Sequence, residues 1–153
     1  MSSSQLTPEQ DAFIEALANL LTTWSLTPNA ARLYGYLQIM SEPVGLDDIA
    51  RDLGISRSHA HNAVRSLEAH GNAKAMATRG SKRIVYVCGD DPATPLRPQA
   101  VALGNMSDLI AASADKVATG DVALRLARLG EFHRRMQRAM RDVIEPQPPE
   151  KSV

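Results

Sequence analysis

The chain is poor in several things at once. Cysteine occurs once, at Cys88, so no disulfide can close within the chain and no cysteine-based zinc motif can be assembled. Aromatic residues make up 4% of the sequence, so a core has to be built mainly from Leu, Ile, Val, Ala and Met. Net charge is missing too: 17 basic and 17 acidic residues cancel, and any case for a nucleic-acid partner has to rest on local charge. No apolar run approaches the roughly 20 residues needed to span a bilayer. "MSSSQLTPEQ" carries neither the basic nor the apolar region of a signal peptide. The expectation is a soluble, cytoplasmic protein without a membrane partner. Its 153 residues suffice for one ordinary domain, or a small one with helical extensions.

What is present is mostly helical signal. Thr7, Pro8 and Gln10 form a capping box at the start of a helix with a broad apolar stripe: Phe13, Ile14, Leu17, Leu20, Leu21 and Trp24. Thr27 and Pro28 repeat the start signal, and Ala30, Leu33, Tyr36, Leu37 and Met40 form the inner face of a second helix. "GLDDIARDLGIS" predicts a short helix with Ile49, Ala50 and Leu53 inward, and with Asp47 and Asp48 in the first turn where the helix dipole favours acids. Gly54 breaks it, Ser56 caps the next helix, and Gly71 ends that one near His70. Two helices joined by so tight a glycine turn form a helix-turn-helix. From Asn72 the pattern alternates, "RGSK" makes a turn, and "RIVYVC" has strong strand character, so a hairpin wing should follow. "GDDPATPLRP" reads as an extended linker. Beyond it, Leu103, Met106, Ile110 and Val117 mark a helix ending near Gly120. Asp121 is placed to cap a last helix carrying a heptad-like seam of Val122, Leu126, Leu129, His133, Met136, Met140 and Val143. "PQPPEKSV" reads as a disordered tail. The expected fold class is mainly α with a small β wing.

"SRSHAHNAVRSLEAHG" gathers the polar chemistry. On a helix, Ala60, Ala63, Val64 and Leu67 share one narrow sector, while Ser58, His61, Asn62 and Arg65 lie opposite. His59 and His61 point about 200° apart around the axis, so they cannot chelate one ion from a helix, and no metal site is expected. Nor is a catalytic one: no nucleophile elbow surrounds the serines, and Ser56 is accounted for as a cap. A solvated face is the plain alternative. DNA suits the face better, with Arg65 able to donate two bonds to guanine, Asn62 to pair with adenine, and Ser58 and His61 to adapt. Arg57 in the first turn is placed for a phosphate. Between Gly54 and Arg83 the only acid is Glu68, against Arg57, Arg65, Lys74, Arg79, Lys82 and Arg83. "TRGSKR" puts three of these around a glycine turn able to reach a minor groove or flanking phosphates.

The stretch from "LTPNAARLYGYLQIM" through "GLDDIARDLGISRSHAHNAVRSLEAHG" to "RGSKR" and "RIVYV" resembles the MarR-type winged helix-turn-helix regulators. Within them it is most similar to the GbsR-like branch, by Ala31, Arg32, Tyr34 and Gly35 and by "RLARLGEFHRRM". The resemblance implies a homodimer joined through terminal helices, by Ile14, Leu17 and Leu21 of the first and Leu126, Leu129, Met136 and Met140 of the last. It implies Ser56, Arg57, Ser58, His61, Asn62 and Arg65 in the major groove, with Arg79, Lys82 and Arg83 in the wing. It also allows a small effector near Trp24, Tyr34 and Tyr36, although aromatics at helical spacing also serve as core.

The expected layout is therefore a dimerisation helix over 1–26, a winged helix-turn-helix over 27–90, a linker over 91–99, dimerisation helices over 100–145 and a tail over 146–153. The function this implies is that of a DNA-binding repressor on a palindromic operator, without a cofactor and without enzymatic activity. The competing class is a winged-helix adaptor that binds protein instead of DNA.

Overall fold

A computed structural model describes residues 6–145, apart from Ser25 and the Trp24 side chain. The expected effector contact at Trp24 and the expected tail over 146–153 lie outside the described residues. The chain forms two compact units, Met1–Asp90 and Asp91–Val153.

In the first unit α1 (Pro8–Leu21) begins with the capping box foreseen: Gln10 N donates to Thr7 Oγ1 at 3.2 Å, and Thr7 N donates to Gln10 Oε1 at 2.9 Å. A short 3-10 turn, Thr22–Trp24, leads to α2 (Pro28–Ile39), capped by Thr27. Then come α3 (Leu46–Leu53), α4 (Arg57–Ala69) and the antiparallel pair β2 (Ala73–Ala77) and β3 (Ile84–Cys88). Ile14, Leu33, Tyr36, Ile49, Val64 and Leu67 are fully buried together in one core. Helices supply nearly all of it. The fold is a winged helix-turn-helix, mainly α with a small sheet.

Four expectations change. The wing is not a simple hairpin, because β1 (Val44–Gly45) adds to it in the order β1-β3-β2, with Val44 opposite Tyr86 and Gly45 opposite Val85. Two residues are too few to show alternation, so this strand had no sequence signal. Ile14 and Leu21, expected at a dimer interface, are 0% and 6% exposed within their own unit and have no surface to offer a partner, while Leu17 is half-buried. Phe13 and Leu20, on the same stripe, are the residues left outside.

The expected extended linker is wound up. Thr94–Leu96 forms a 3-10 turn and α5 runs from Arg97 to Val117, with Pro98 in its first turn, where a missing N–H costs nothing. The last helix, α6 (Gly120–Ile144), is preceded by Thr119 at the N-cap position, and Asp121 sits in the first turn instead of capping.

In the second unit α5 and α6 pack through small residues. Ser107 Oγ donates to Gly130 O at 2.9 Å. A Cβ at Gly104 would run into the Gln137 amide, and one at Gly130 would lie 3.0 Å from Ile110 Cγ2. The buried residues of α6 are Gly130 and Ile144, one position on from Leu129 and Val143 of the heptad-like seam. One residue is about 100° of helix. The large side chains of that seam, Val122, Leu129, Met136 and Val143, are therefore exposed, while Leu126, His133 and Met140 are half-buried.

Candidate nucleic-acid interface

The turn between α3 and α4 is built by local rules. Gly54 adopts φ +64°, which an L side chain reaches only with strain, and its N–H bonds back to Arg51 O at 3.2 Å. Ile55 N donates to Ala50 O at 3.0 Å. Ser56 then starts α4, its Oγ accepting from His59 N at 3.1 Å. Ala60, Ala63, Val64 and Leu67 are all buried, so the apolar sector of α4 faces the core as its spacing predicts. Ser56, Arg57, Ser58, His61, Asn62 and Arg65 are all exposed. Four of them, Ser58, His61, Asn62 and Arg65, share the outer face.

β2 and β3 carry the basic turn beside this helix. Their last pair is Ala77 with Ile84, and the turn is closed by Thr78 N to Arg83 O at 3.3 Å, Ser81 N to Thr78 O at 3.0 Å, and Arg83 N to Ser81 Oγ at 3.0 Å. Arg79, Lys82 and Arg83 are exposed. At the far end of the ladder Gly89 N donates to Asn72 O at 3.0 Å, and a Cβ at Gly89 would collide with the Gly71 carbonyl oxygen. That close backbone approach ties the wing to the end of α4. The requirement for glycine at 89 had no sequence signal, because it depends on a neighbour in space.

A cleft of about 330 Å³ separates α4 from the wing, lined by Leu46, Asp47, Arg57, His61, Lys82, Arg83, Ile84 and Tyr86. Its lining brings the cations Arg57, Lys82 and Arg83 together with apolar Leu46 and Ile84 and one carboxylate, Asp47.

The cations are not equivalent. Arg57 pairs with Asp47, and Arg83 Nη2 pairs with Asp48 Oδ2 at 2.9 Å. Lys74 pairs with Asp90 at 2.7 Å. Arg65, Arg79 and Lys82 make no ion pair among the described residues, so their charges face solvent. In the sequence Asp47 and Asp48 stood out only as dipole-matched acids of a first turn. Their reach to Arg57 and Arg83, the latter 35 positions away, needed the fold.

Behind the interface lies a buried polar relay. Tyr36 donates its hydroxyl to Asp52 Oδ2 at 2.8 Å, and Arg51 Nε donates to Asp52 Oδ1 at 3.0 Å. Tyr36, expected beside an effector, is only 1% exposed and committed to this bond. Tyr34 is half-buried. Burial, and then the hydrogen bond to Asp52 and its charge, push the Tyr36 phenol well above its ordinary 10.0. The folded state therefore holds this proton more tightly than the unfolded chain. Stability from this group is complete below the unfolded value and is lost as pH rises above it. Tyr86 shifts the same way, by burial and then by the charge of Glu68. We expect urea midpoints to fall between about pH 9 and 11.5, and Tyr36→Phe to remove the larger part of that fall. An identical decline in the variant would show that Tyr36 is not its source.

A sequence-family model for the IclR helix-turn-helix domain matches residues 29–74, from α2 to the start of β2 and less than half of the chain. A solved structure described as a transcriptional regulator is similar with a TM-score of 0.71 and 22% identity, over 90% of this chain and 96% of that one. A mutant MepR from a multidrug-resistant S. aureus clinical isolate is similar with a TM-score of 0.43 and 15% identity, over 84% of this chain and 90% of that one. No curated protein matches this chain at a significant level. The domain match spans the whole α3–turn–α4 unit, and the first structure shares the fold across nearly the entire chain. This chain carries a winged helix-turn-helix domain.

Proposed function

We propose that the protein is a sequence-specific DNA-binding transcription regulator of the MarR type, closest to its GbsR-like branch, that acts as a homodimer and represses by occupying a palindromic operator. One observation carries the reading. The inner face of α4 is wholly committed to the core, and its outer face presents Ser58, His61, Asn62 and Arg65 to solvent beside a basic wing. A helix of about 10–12 Å diameter fits a major groove about 12 Å wide. The exposed seam of α6, from Val122 through Leu129 and Met136 to Val143, supports the dimer, with Leu126 and Met140 at its edge. A dimer that reads a palindrome has to present its recognition helices about 34–36 Å apart, one turn of DNA. Response to a small effector belongs to the same proposal, and with Tyr36 committed to Asp52 it rests on Tyr34.

Arg65 and Lys82 should separate base reading from backbone binding. On the fragment that the wild type enriches from random DNA, Arg65→Ala should cost about 1–3 kcal/mol and relax preference at one base pair. Lys82→Ala should weaken enriched and random DNA alike and lower the salt slope by about 1. Titrations of both fragments at several salt concentrations measure this. Unchanged base preference in Arg65→Ala defeats the assignment of that residue. Absence of any salt-dependent DNA affinity in the wild type defeats the function and leaves the adaptor class.

A further inference from the structure

Asp48 belongs to two structures at once. Its Oδ1 accepts from Arg51 Nη1 at 3.0 Å on its own helix, and its Oδ2 accepts from Arg83 Nη2 at 2.9 Å at the base of the wing. Arg51 also bonds Asp52, and Asp52 bonds Tyr36 in the core. Arg83 is thus the outer end of a chain of polar contacts whose inner end is buried. The contact passes across Gly45 of β1, where a Cβ would lie 2.6 Å from Arg83 Nη2 and 3.0 Å from Nε. A side chain at position 45 would displace the guanidinium from this place. Gly45 also faces Val85 in the β1–β3 register, which brings the start of β3 to the same place.

The neighbouring pair is of a different kind. The two arginines are similarly exposed, at 66% for Arg57 and 60% for Arg83, but Asp47 is 76% exposed with no second ion pair among the described residues, whereas Asp48 is 31% exposed and also pairs with Arg51. Exposed pairs such as Arg57 with Asp47 exchange partners at little cost. Asp47 can release Arg57 to a phosphate without losing another partner, whereas Asp48, held by Arg51 as well, stays in place to keep Arg83 at the base of the wing.

We propose that Asp48 is a positioning residue for the DNA interface: through Arg83 it holds the wing base against α3, and Arg79 and Lys82 make the wing's phosphate contacts. The proposal rests on the DNA-binding function above and assigns Arg83 a structural place within it. Its consequence has an unusual sign. Removing a carboxylate beside DNA ordinarily raises affinity, because a charge that repels phosphate is gone. Asp47→Ala should behave in that way. Asp48→Ala should do the opposite.

The test uses the full chain with two readouts. In DNA-free protein, hydrogen exchange at the turn amides of Thr78 and Ser81 should quicken about threefold or more in Asp48→Ala and in Arg83→Ala, because the turn opens more often once its base is released. On the enriched fragment, affinity should fall about fivefold, with the salt slope shallower by up to roughly 1.8 per subunit as two phosphate contacts are lost. Asp48→Glu should restore both readouts, and Asp47→Ala should bind more tightly than wild type. The proposal is overturned if Asp48→Ala binds more tightly, as Asp47→Ala does, or if exchange at Thr78 and Ser81 is unchanged. If the wild type shows no salt-dependent DNA affinity, the DNA-binding function fails by itself. The exchange measurement then decides alone whether Asp48 holds the wing.

Discussion

Replacing Leu129 and Met136 together with glutamate should give a monomer whose operator affinity has dropped by about a hundredfold or more. Both side chains lie on the exposed seam of α6, at 45% and 42% exposure, and neither is part of the α5–α6 contact built on Gly104, Ser107 and Gly130. The substitutions therefore avoid the Gly104, Ser107 and Gly130 contacts of the hairpin and place two carboxylates where the proposed partner helix would sit. Burying an unpaired carboxylate costs several kcal/mol, which an interface of this kind cannot offset. The loss on DNA follows from linkage. A dimer binds its second half-site at an effective concentration set by the first, and such coupling is worth about 10²–10⁴ in affinity. Sedimentation gives the oligomeric state, thermal melting checks that the hairpin survives, and titration of the enriched fragment gives the affinity. A double variant that still sediments as a dimer places the interface elsewhere, and one that is monomeric with unchanged affinity removes the dimer from the mechanism.

Leu67→Ala should cost the helix-turn-helix unit about 2–5 kcal/mol, through lost burial and the cavity left behind. Leu67 is fully buried among Ile49, Ala63, Val64 and Tyr86, and its carbonyl accepts from Asn72 N at 2.8 Å where α4 turns into β2. One residue thus supports both the back of the recognition helix and the root of the wing. For a unit of this size the melting temperature should fall by about 10 °C or more, with DNA affinity intact at low temperature and lost as the unit melts. Arg65→Ala, two positions away but exposed, should leave the melting temperature within a few degrees while changing base preference. Calorimetry on both variants separates the two faces of α4. Comparable melting losses in both would mean that the outer face is not free.

The recognition helix could be recognised from residues alone because its determinants are local. Ser56, Gly54 and Gly71 bracket it, and the spacing of Ala60, Ala63, Val64 and Leu67 decides which side is left for Ser58, His61, Asn62 and Arg65. The wing tip was legible for the same reason, since a glycine turn among cations lies within six residues. Ile14 and Leu21 were misplaced at a dimer interface because an apolar stripe says that a face is buried, not against what. α2 of the same unit covers Ile14 and Leu21, while Phe13 and Leu20 are exposed. The capping of α6 went astray by two residues, where Asp121 lies inside a first turn that Thr119 precedes.

The sequence by itself determined the helices, the buried faces of α2, α3 and α4, the hairpin and the clustering of cations between Gly54 and Arg83. Each of these follows from backbone propensity, capping or periodicity acting over a few neighbouring positions. Tertiary structure alone decided three further matters: that Val44 and Gly45 join the sheet, that Arg57 and Arg83 meet the acids of α3, and that Val122, Leu129, Met136 and Val143 of the α6 seam are left exposed. All three depend on atoms brought together from distant parts of the chain, and a pattern confined to one element carries no information about what will face it.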